Sequence, residues 1–389
     1  MSNYNPYPAY KDSGVEWLGR VPEHWTIGPY KATIQIENGS DYKEVEADDG
    51  YPVIGSGGPF AFSSSRMYEG ESVLLGRKGT IDKPLYVNGA FWAVDTMYWS
   101  IIKPGAHGRF AYYIATTIPF DMYSTNTALP SMTKSVLGSH IVAFPRFEEQ
   151  QAIATRLDRE TARIDALVEK KVRFIELLRE KILSSVGKAF ECEESRWIRL
   201  QHICDVMSRP TEQEEEKSYV RLGLYNRGRG IFKKEEADAE DMGDSDFFWV
   251  ECGDLILSGQ FAWEGSVALA GAEHDACVVS HRYPIIRGRS GEVLTEYLLA
   301  FFLSHYGDFL LNDCSRGSAG RNRPLNLGSL LKWKIPVPPM EQQEKVASLV
   351  RYRRELLRKV EISITLLKER RSALITAAVT GQIDLRETV

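Results

Sequence analysis

Two glycine-flanked basic stretches are the residues of this chain best suited to chemistry, and that chemistry is recognition of an anionic polymer. Gly76-Arg77-Lys78-Gly79 follows the apolar run Val73-Leu74-Leu75. A tight turn at a strand end would carry a guanidinium and an ammonium toward phosphates or a guanine edge. Arg316-Gly317-Ser318-Ala319-Gly320-Arg321-Asn322-Arg323 gathers three arginines and an asparagine in one donor-rich loop. In the first half, residues 124–134 form a polar counterpart that offers Asn126, Ser131 and Lys134. Arg227 and Arg229, with Lys233 and Lys234, make another basic run, answered at once by the acidic stretch 235–246. Gln260 has the amide fork that pairs with adenine in bidentate fashion. Arg66, Lys83 and Arg282 stand near expected strand ends. For each, the plain alternative is a solvated turn.

Catalytic signatures are missing. Gly76-Arg77-Lys78-Gly79-Thr80 lacks the spacing that wraps a triphosphate, and Gly55-Ser56-Gly57-Gly58-Pro59 lacks the third glycine and the helix start of a dinucleotide loop. Asn5-Pro6-Tyr7 is one proline short of the tetrapeptide an amino-methyltransferase needs. The seven histidines show no tight ligand spacing, so no metal is expected; His24, His140 and His281 read as structural histidines among apolar neighbours.

The elements that must hold the loops follow from length and pattern. With 389 residues, 43% hydrophobic and 26% charged, the chain can bury more than one core. Lys+Arg 48 against Asp+Glu 53 gives a net charge of −5, so any nucleic-acid contact has to be local. Five cysteines without close pairs read as reduced thiols, no apolar run approaches membrane-spanning length, and no secretory leader is visible; a cytoplasmic location is expected.

The chain also repeats itself. Pro145-Arg146-Phe147-Glu148-Glu149-Gln150-Gln151 aligns with Pro338-Pro339-Met340-Glu341-Gln342-Gln343-Glu344, an offset of 193 residues (338 minus 145). Gly70 to Gly76 aligns with Gly253 to Gly259, and Phe110 to Ala115 with Thr295 to Ala300. Each half reads as an α/β block followed by a long helix. Strands are expected at Val53-Ile54, Val73 to Leu75, Leu85 to Val87, Tyr98 to Ile102 and Ile141 to Phe144, and short helices at Phe110 to Ile118 and Leu294 to Phe302. From Phe147 to about Val186, apolar heptads among charges predict a helix of roughly 60 Å. A second runs from Pro339 toward a stop at Gly381. The two stripes are expected to pair; packing on their own blocks, or homodimerisation, are the alternatives. Glu148, Gln150, Glu341 and Gln343 fall in the first turn of each helix, where acids suit the dipole. Arg351-Tyr352-Arg353-Arg354-Glu355 reads as a wet helix face or a docking surface, and Trp17, Trp25 and Trp197 as core.

On Gly14 to Trp25, the two proline-led helix starts, Leu74 to Gly79 and the tail Leu367 to Asp384, the whole chain resembles the DNA-specificity subunits of type I restriction-modification systems. The resemblance implies an α+β fold: two similar α/β target-recognition domains joined by two long helices in an antiparallel coiled coil, a pseudo-twofold internal repeat. Boundaries are expected at 1–145, 146–190, 191–338 and 339–389. It implies a non-catalytic reader of a bipartite, asymmetric DNA target, and suggests that the region of Glu148, Gln150, Glu341 and Gln343 faces a methyltransferase partner. Two such subunits would carry S-adenosylmethionine, this chain holding no cofactor; whether ATP-dependent restriction subunits join is left open. The competing functions are a duplicated coiled-coil scaffold that does not bind DNA and a self-contained methyltransferase or nuclease.

Overall fold

A computed structural model describes residues 4–123, 131–190, 193–212, 214, 217–243, 245–317 and 323–386. The chain forms two compact units, Met1–Glu169 with Ser363–Val389, and Lys170–Ile362.

The first unit is built on a seven-stranded sheet. Its strands are β2 (Ile34–Asn38), β3 (Glu46–Ala47), β4 (Tyr51–Gly55), β5 (Gly58–Ser63), β6 (Tyr68–Gly76), β7 (Leu85–Ala93) and β8 (Met97–Ile102), in the order β2-β8-β6-β7-β4-β5-β3. A separate antiparallel pair joins β1 (Thr26–Pro29) to β9 (Ile141–Phe144). Val73, Leu74 and Leu75 are wholly buried, because the central strand β6 is covered on both faces. Helix α1 (Gly108–Ala115) packs on β6, ending three residues short of the expected Ile118 because Thr116 already caps it. Helix α2 (Lys134–Ser139) starts where the Thr133 side chain accepts from the Val136 N–H at 3.3 Å.

The core of this unit joins Trp25, Tyr30 and Phe110 to Leu157 of the helix Phe147–Phe190 and to Leu374 and Ala378 of the helix Met340–Val379. These are the first and second long helices. Pro145 precedes the first, with Glu148 and Glu149 in its opening turn; it runs on through Gly187, past the expected end. The second stops where Gly381 adopts φ +72°.

The second unit has two four-stranded sheets. One holds β11 (Cys204–Met207), β15 (Leu255–Leu257), β16 (Val267–Leu269) and β18 (Ile285–Gly288) in the order β11-β18-β15-β16. The other holds β12 (Ser218–Leu224), β13 (Ile231–Asp238), β14 (Phe247–Trp249) and β17 (Val278–Ser280), ordered β13-β12-β17-β14. The pair β10 (Arg196–Arg199) and β19 (Lys334–Val337) corresponds to β1 and β9. Helices α3 (Thr295–Phe302) and α4 (Leu327–Lys332) correspond to α1 and α2. Leu257, Tyr297 and Phe301 share their core with Ile182 and Val186 of the first long helix and Val346 and Val350 of the second.

Several sequence expectations are corrected. Trp197 is 56% exposed, with only an edge contact to Tyr306, because a two-stranded pair leaves its outer face open. Trp25 is buried and Trp17 stacks on His140 at 4.6 Å. His24 is a half-exposed partner of Glu149, not an apolar-site histidine, and His281 is exposed. Among the described cysteines, Cys204, Cys277 and Cys314 are buried and Cys252 is exposed; all four are free thiols.

Candidate nucleic-acid interface

In the first unit the loop after β6 is fastened to the segment that opens α2. The Arg77 carbonyl accepts from Met132 N–H at 3.1 Å, Lys78 bridges Ser131 in antiparallel fashion, and the buried Tyr98 hydroxyl donates to the Met132 carbonyl at 3.0 Å. Gly76 permits the turn, since a Cβ there would collide with the Thr80 carbonyl. Arg77, Lys78, Ser131 and Lys134, more than fifty residues apart in part, are thereby gathered. Arg77 lies 5.8 Å over the Tyr98 ring and donates to the Asp95 carbonyl at 3.3 Å, while Lys78 is exposed. Lys134 reaches Glu37 at 3.7 Å, and exposed Lys83 continues the same loop. Arg66, in an ion pair with Glu69 at 3.2 Å, belongs to the entry into β6. Asn126 lies outside the described residues.

In the second unit the loop after β15 plays the same part. The Gly259 carbonyl accepts from Leu325 N–H at 2.8 Å, ahead of α4, and Gly259 N–H donates to the Arg282 carbonyl at 2.6 Å. A Cβ on Gly259 would strike that carbonyl, as at Gly76. Gln260 is half-buried and its carbonyl accepts from the Trp263 indole at 3.1 Å. Arg227, exposed and held at φ +56°, donates its N–H to the Glu264 carbonyl at 2.8 Å. Arg229 crosses the Tyr225 ring at 5.2 Å and bonds Asn226. Arg282 and Arg316 are exposed, the latter paired with Asp313.

Arg323 turns inward: it donates to Ser315 at 3.0 Å and lies 4.8 Å over Trp263. These contacts hold its guanidinium against its own unit. Arg321 and Asn322 lie outside the described residues. A cavity of about 930 Å³ borders Arg227, Trp263 and Arg179.

The residues proposed to face a partner divide. Glu148 and Glu341 are exposed, Glu341 pairing with Lys345 at 2.8 Å, which holds its carboxyl below the ordinary range. Gln150 and Gln343 are each 1% exposed, so the expectation that they face outward is overturned. Gln150 Oε1 accepts from His107 N–H at 2.9 Å, and its Nε2 donates to the Gly105 and Pro145 carbonyls at 3.1 and 2.8 Å. Gln343 accepts from Leu294 N–H at 2.9 Å and donates to Glu292 and Pro338 at 3.2 and 2.9 Å. A buried amide that satisfies three loop groups is a framework residue. Its signal was on the page: a glutamine five residues after a proline, in both halves.

Sequence reading also missed Asp254, fully buried between Arg209 at 2.9 Å and Arg287 at 2.6 Å, a network that pins β15 to β18. Nothing in its local sequence announces two arginines from distant segments. Among the described residues no group of histidines, cysteines and carboxylates is placed to hold a metal, and no helix is long and apolar enough to cross a membrane.

The family pattern described as "Type I restriction modification DNA specificity domain" matches residues 22–176. Residues 22–176 are thus similar to the specificity domain of type I restriction-modification systems. The type I restriction enzyme EcoprrI specificity subunit of Escherichia coli is 26% identical over 110 residues, which span 28% of this chain and 27% of that relative's length. Two solved structures share the fold. The S subunit from M. genitalium has a TM-score of 0.51 at 15% identity, covering 91% of this chain and 96% of its own. A chain described under "Structural basis underlying complex assembly and conformational transition of the type I R-M system" reaches 0.60 at 16% identity, covering 92% of this chain and 98% of its own.

Proposed function

We propose that this chain is the sequence reader of a type I restriction-modification complex: each unit reads one half of a split, asymmetric double-stranded DNA target, and catalysis resides in partner subunits. The observation that carries the reading is the repeated fastening of a donor-bearing loop to the start of a short helix, at Arg77–Met132 in one unit and Gly259–Leu325 in the other. Similar scaffolds with different loop residues, Arg77-Lys78 in one and Gln260-Phe261 in the other, suit half-sites of different sequence. Fixed loops present donors without an ordering cost on binding.

Corresponding strand orders, β2-β8-β6-β7 and β11-β18-β15-β16, support an internal duplication, and both long helices entering each core support an antiparallel spacer between half-sites. Exposed Phe174 and Leu177 on the first long helix and Tyr352 on the second, with Glu148 and Glu341, favour docking of two methyltransferase subunits that bring S-adenosylmethionine. The scaffold-only alternative leaves the glycine-bounded basic loops without a purpose.

The test is a map of methylated bases in cells that express the chain with its cognate methyltransferase subunit. Two short specific elements separated by unspecified bases are expected. Methylation at the same sites without this chain, or at a single continuous element, would contradict the reading.

A further inference from the structure

In the second unit a cavity of about 770 Å³ is lined by residues 350–361 of the second long helix, by the turn at 228–231 and by β16. That volume lies within the usual range of small-molecule sites. Five arginines and three glutamates line it. Two arginines have acceptors: Arg351 pairs with Glu296 at 2.9 Å and with Glu344, and Arg229 bonds Asn226. One glutamate is likewise taken, Glu355 by Lys359 at 2.6 Å.

Arg353, Arg354 and Arg358 remain, facing Glu273 and Glu361. The Arg353 Nε is buried without a hydrogen-bond partner, and Arg179 adds a like charge beside it. Arg354 makes a long bond to the Ala270 carbonyl at 3.4 Å, and Arg358 has no ion pair among the described residues. His274 in the same lining is held below its ordinary value, first by burial and then, against Glu273, by Lys233 and Arg354. Five arginines against three glutamates leave the lining with a positive formal charge, so Arg351 to Glu355 is not simply a wet helix face.

A desolvated guanidinium with an unused donor calls for an acceptor. Three guanidiniums on one cavity wall suit an anion with several oxygens and more than one charge. We propose that this cavity binds a phosphoryl group through Arg353, Arg354 and Arg358, either from a free phosphate compound or from a nucleic-acid backbone. The assignment does not rest on base reading by the loops described above.

The experiment titrates the full-length chain with pyrophosphate by calorimetry at constant ionic strength, and separately with a mixed-sequence DNA duplex over a salt series. Wild type is compared with Arg353→Gln/Arg358→Gln, and with Arg358→Gln alone, an exposed position that leaves the fold intact. A loss of about tenfold or more in pyrophosphate affinity for each arginine removed is expected if the source is a free phosphate compound. If the source is a nucleic-acid backbone, duplex affinity falls and the salt slope becomes shallower by about one to two. Wild-type affinity and salt slope in both variants, for both probes, would overturn the proposal.

Discussion

The two units share what is buried and differ in what is exposed. Gln150 and Gln343 make matching sets of three hydrogen bonds, each accepting from the residue before a short helix and donating to a prolyl carbonyl. About two turns further along each long helix, the correspondence inverts. Arg109 of α1 pairs with Asp158 of the first long helix at 2.7 Å, whereas Glu296 of α3 pairs with Arg351 of the second at 2.9 Å. The contact is the same with its charges exchanged. A buried amide has no substitute that satisfies three fixed backbone groups, so the framework keeps it. A partly exposed ion pair is satisfied by either polarity, and the exchange disfavours pairing α1 with the wrong long helix, where like charges would meet.

The comparison breaks most clearly at the glutamines. Gln150→Ala or Gln343→Ala leaves one buried prolyl carbonyl and two part-buried backbone groups unsatisfied, and each is expected to cost about 3 kcal/mol in chemical denaturation. Similar losses for the two would support equivalent roles, and a loss under 1 kcal/mol for either would break the equivalence.

Next comes pH. Burial pushes His140 down to about 4, with its ring stacked on Trp17 and its Nδ1 2.9 Å from the Tyr123 hydroxyl. The unfolded ring titrates near 6.5, so between these values the unfolded state binds more protons. The contribution is present above about pH 6.5 and lost as pH falls through 4, about 3 kcal/mol in all. In the second unit Trp333 stands where the short helix again meets its strand, and does not titrate. His274 there is lowered in the same direction, so the diagnostic is the variant. His140→Gln should flatten the acid limb of a pH-dependent melt; an unchanged slope would count against this source.

The smallest effect separates the two ion pairs. Arg109 also lies 4.9 Å over both Tyr86 and Tyr112, contacts for which Arg351 has no counterpart among the described residues. Arg109→Ala is expected to cost about 1–2 kcal/mol and Arg351→Ala under about 1 kcal/mol, read by urea titration. Equal losses would show that the aromatic bed adds nothing.

Much of the fold was legible because its signals are periodic or local. Apolar heptads after Pro145 and Pro339 marked the long helices, and short apolar runs such as Val73 to Leu75 marked the central strands. The gathering of Arg77, Lys78, Ser131 and Lys134 is a tertiary event, although each residue could be chosen from its loop chemistry. What misled was position read as exposure. Gln150 sits in a first helical turn, usually wet, but the preceding loop folds over it; Trp197 lies within β10, yet that strand has a partner on one side only. The Asp254 network and the cavity arginines depend on contacts between distant elements, which no local pattern encodes.

The central claim is that each unit governs one half of the target. The direct measurement compares methylated-base maps for the reconstituted complex carrying Arg77→Ala/Lys78→Ala with those carrying Gln260→Ala/Arg227→Ala. Each pair is expected to relax or abolish recognition of a different half-site while subunit assembly is kept. Loss of the same half-site by both pairs, or wild-type maps for both, would contradict the account.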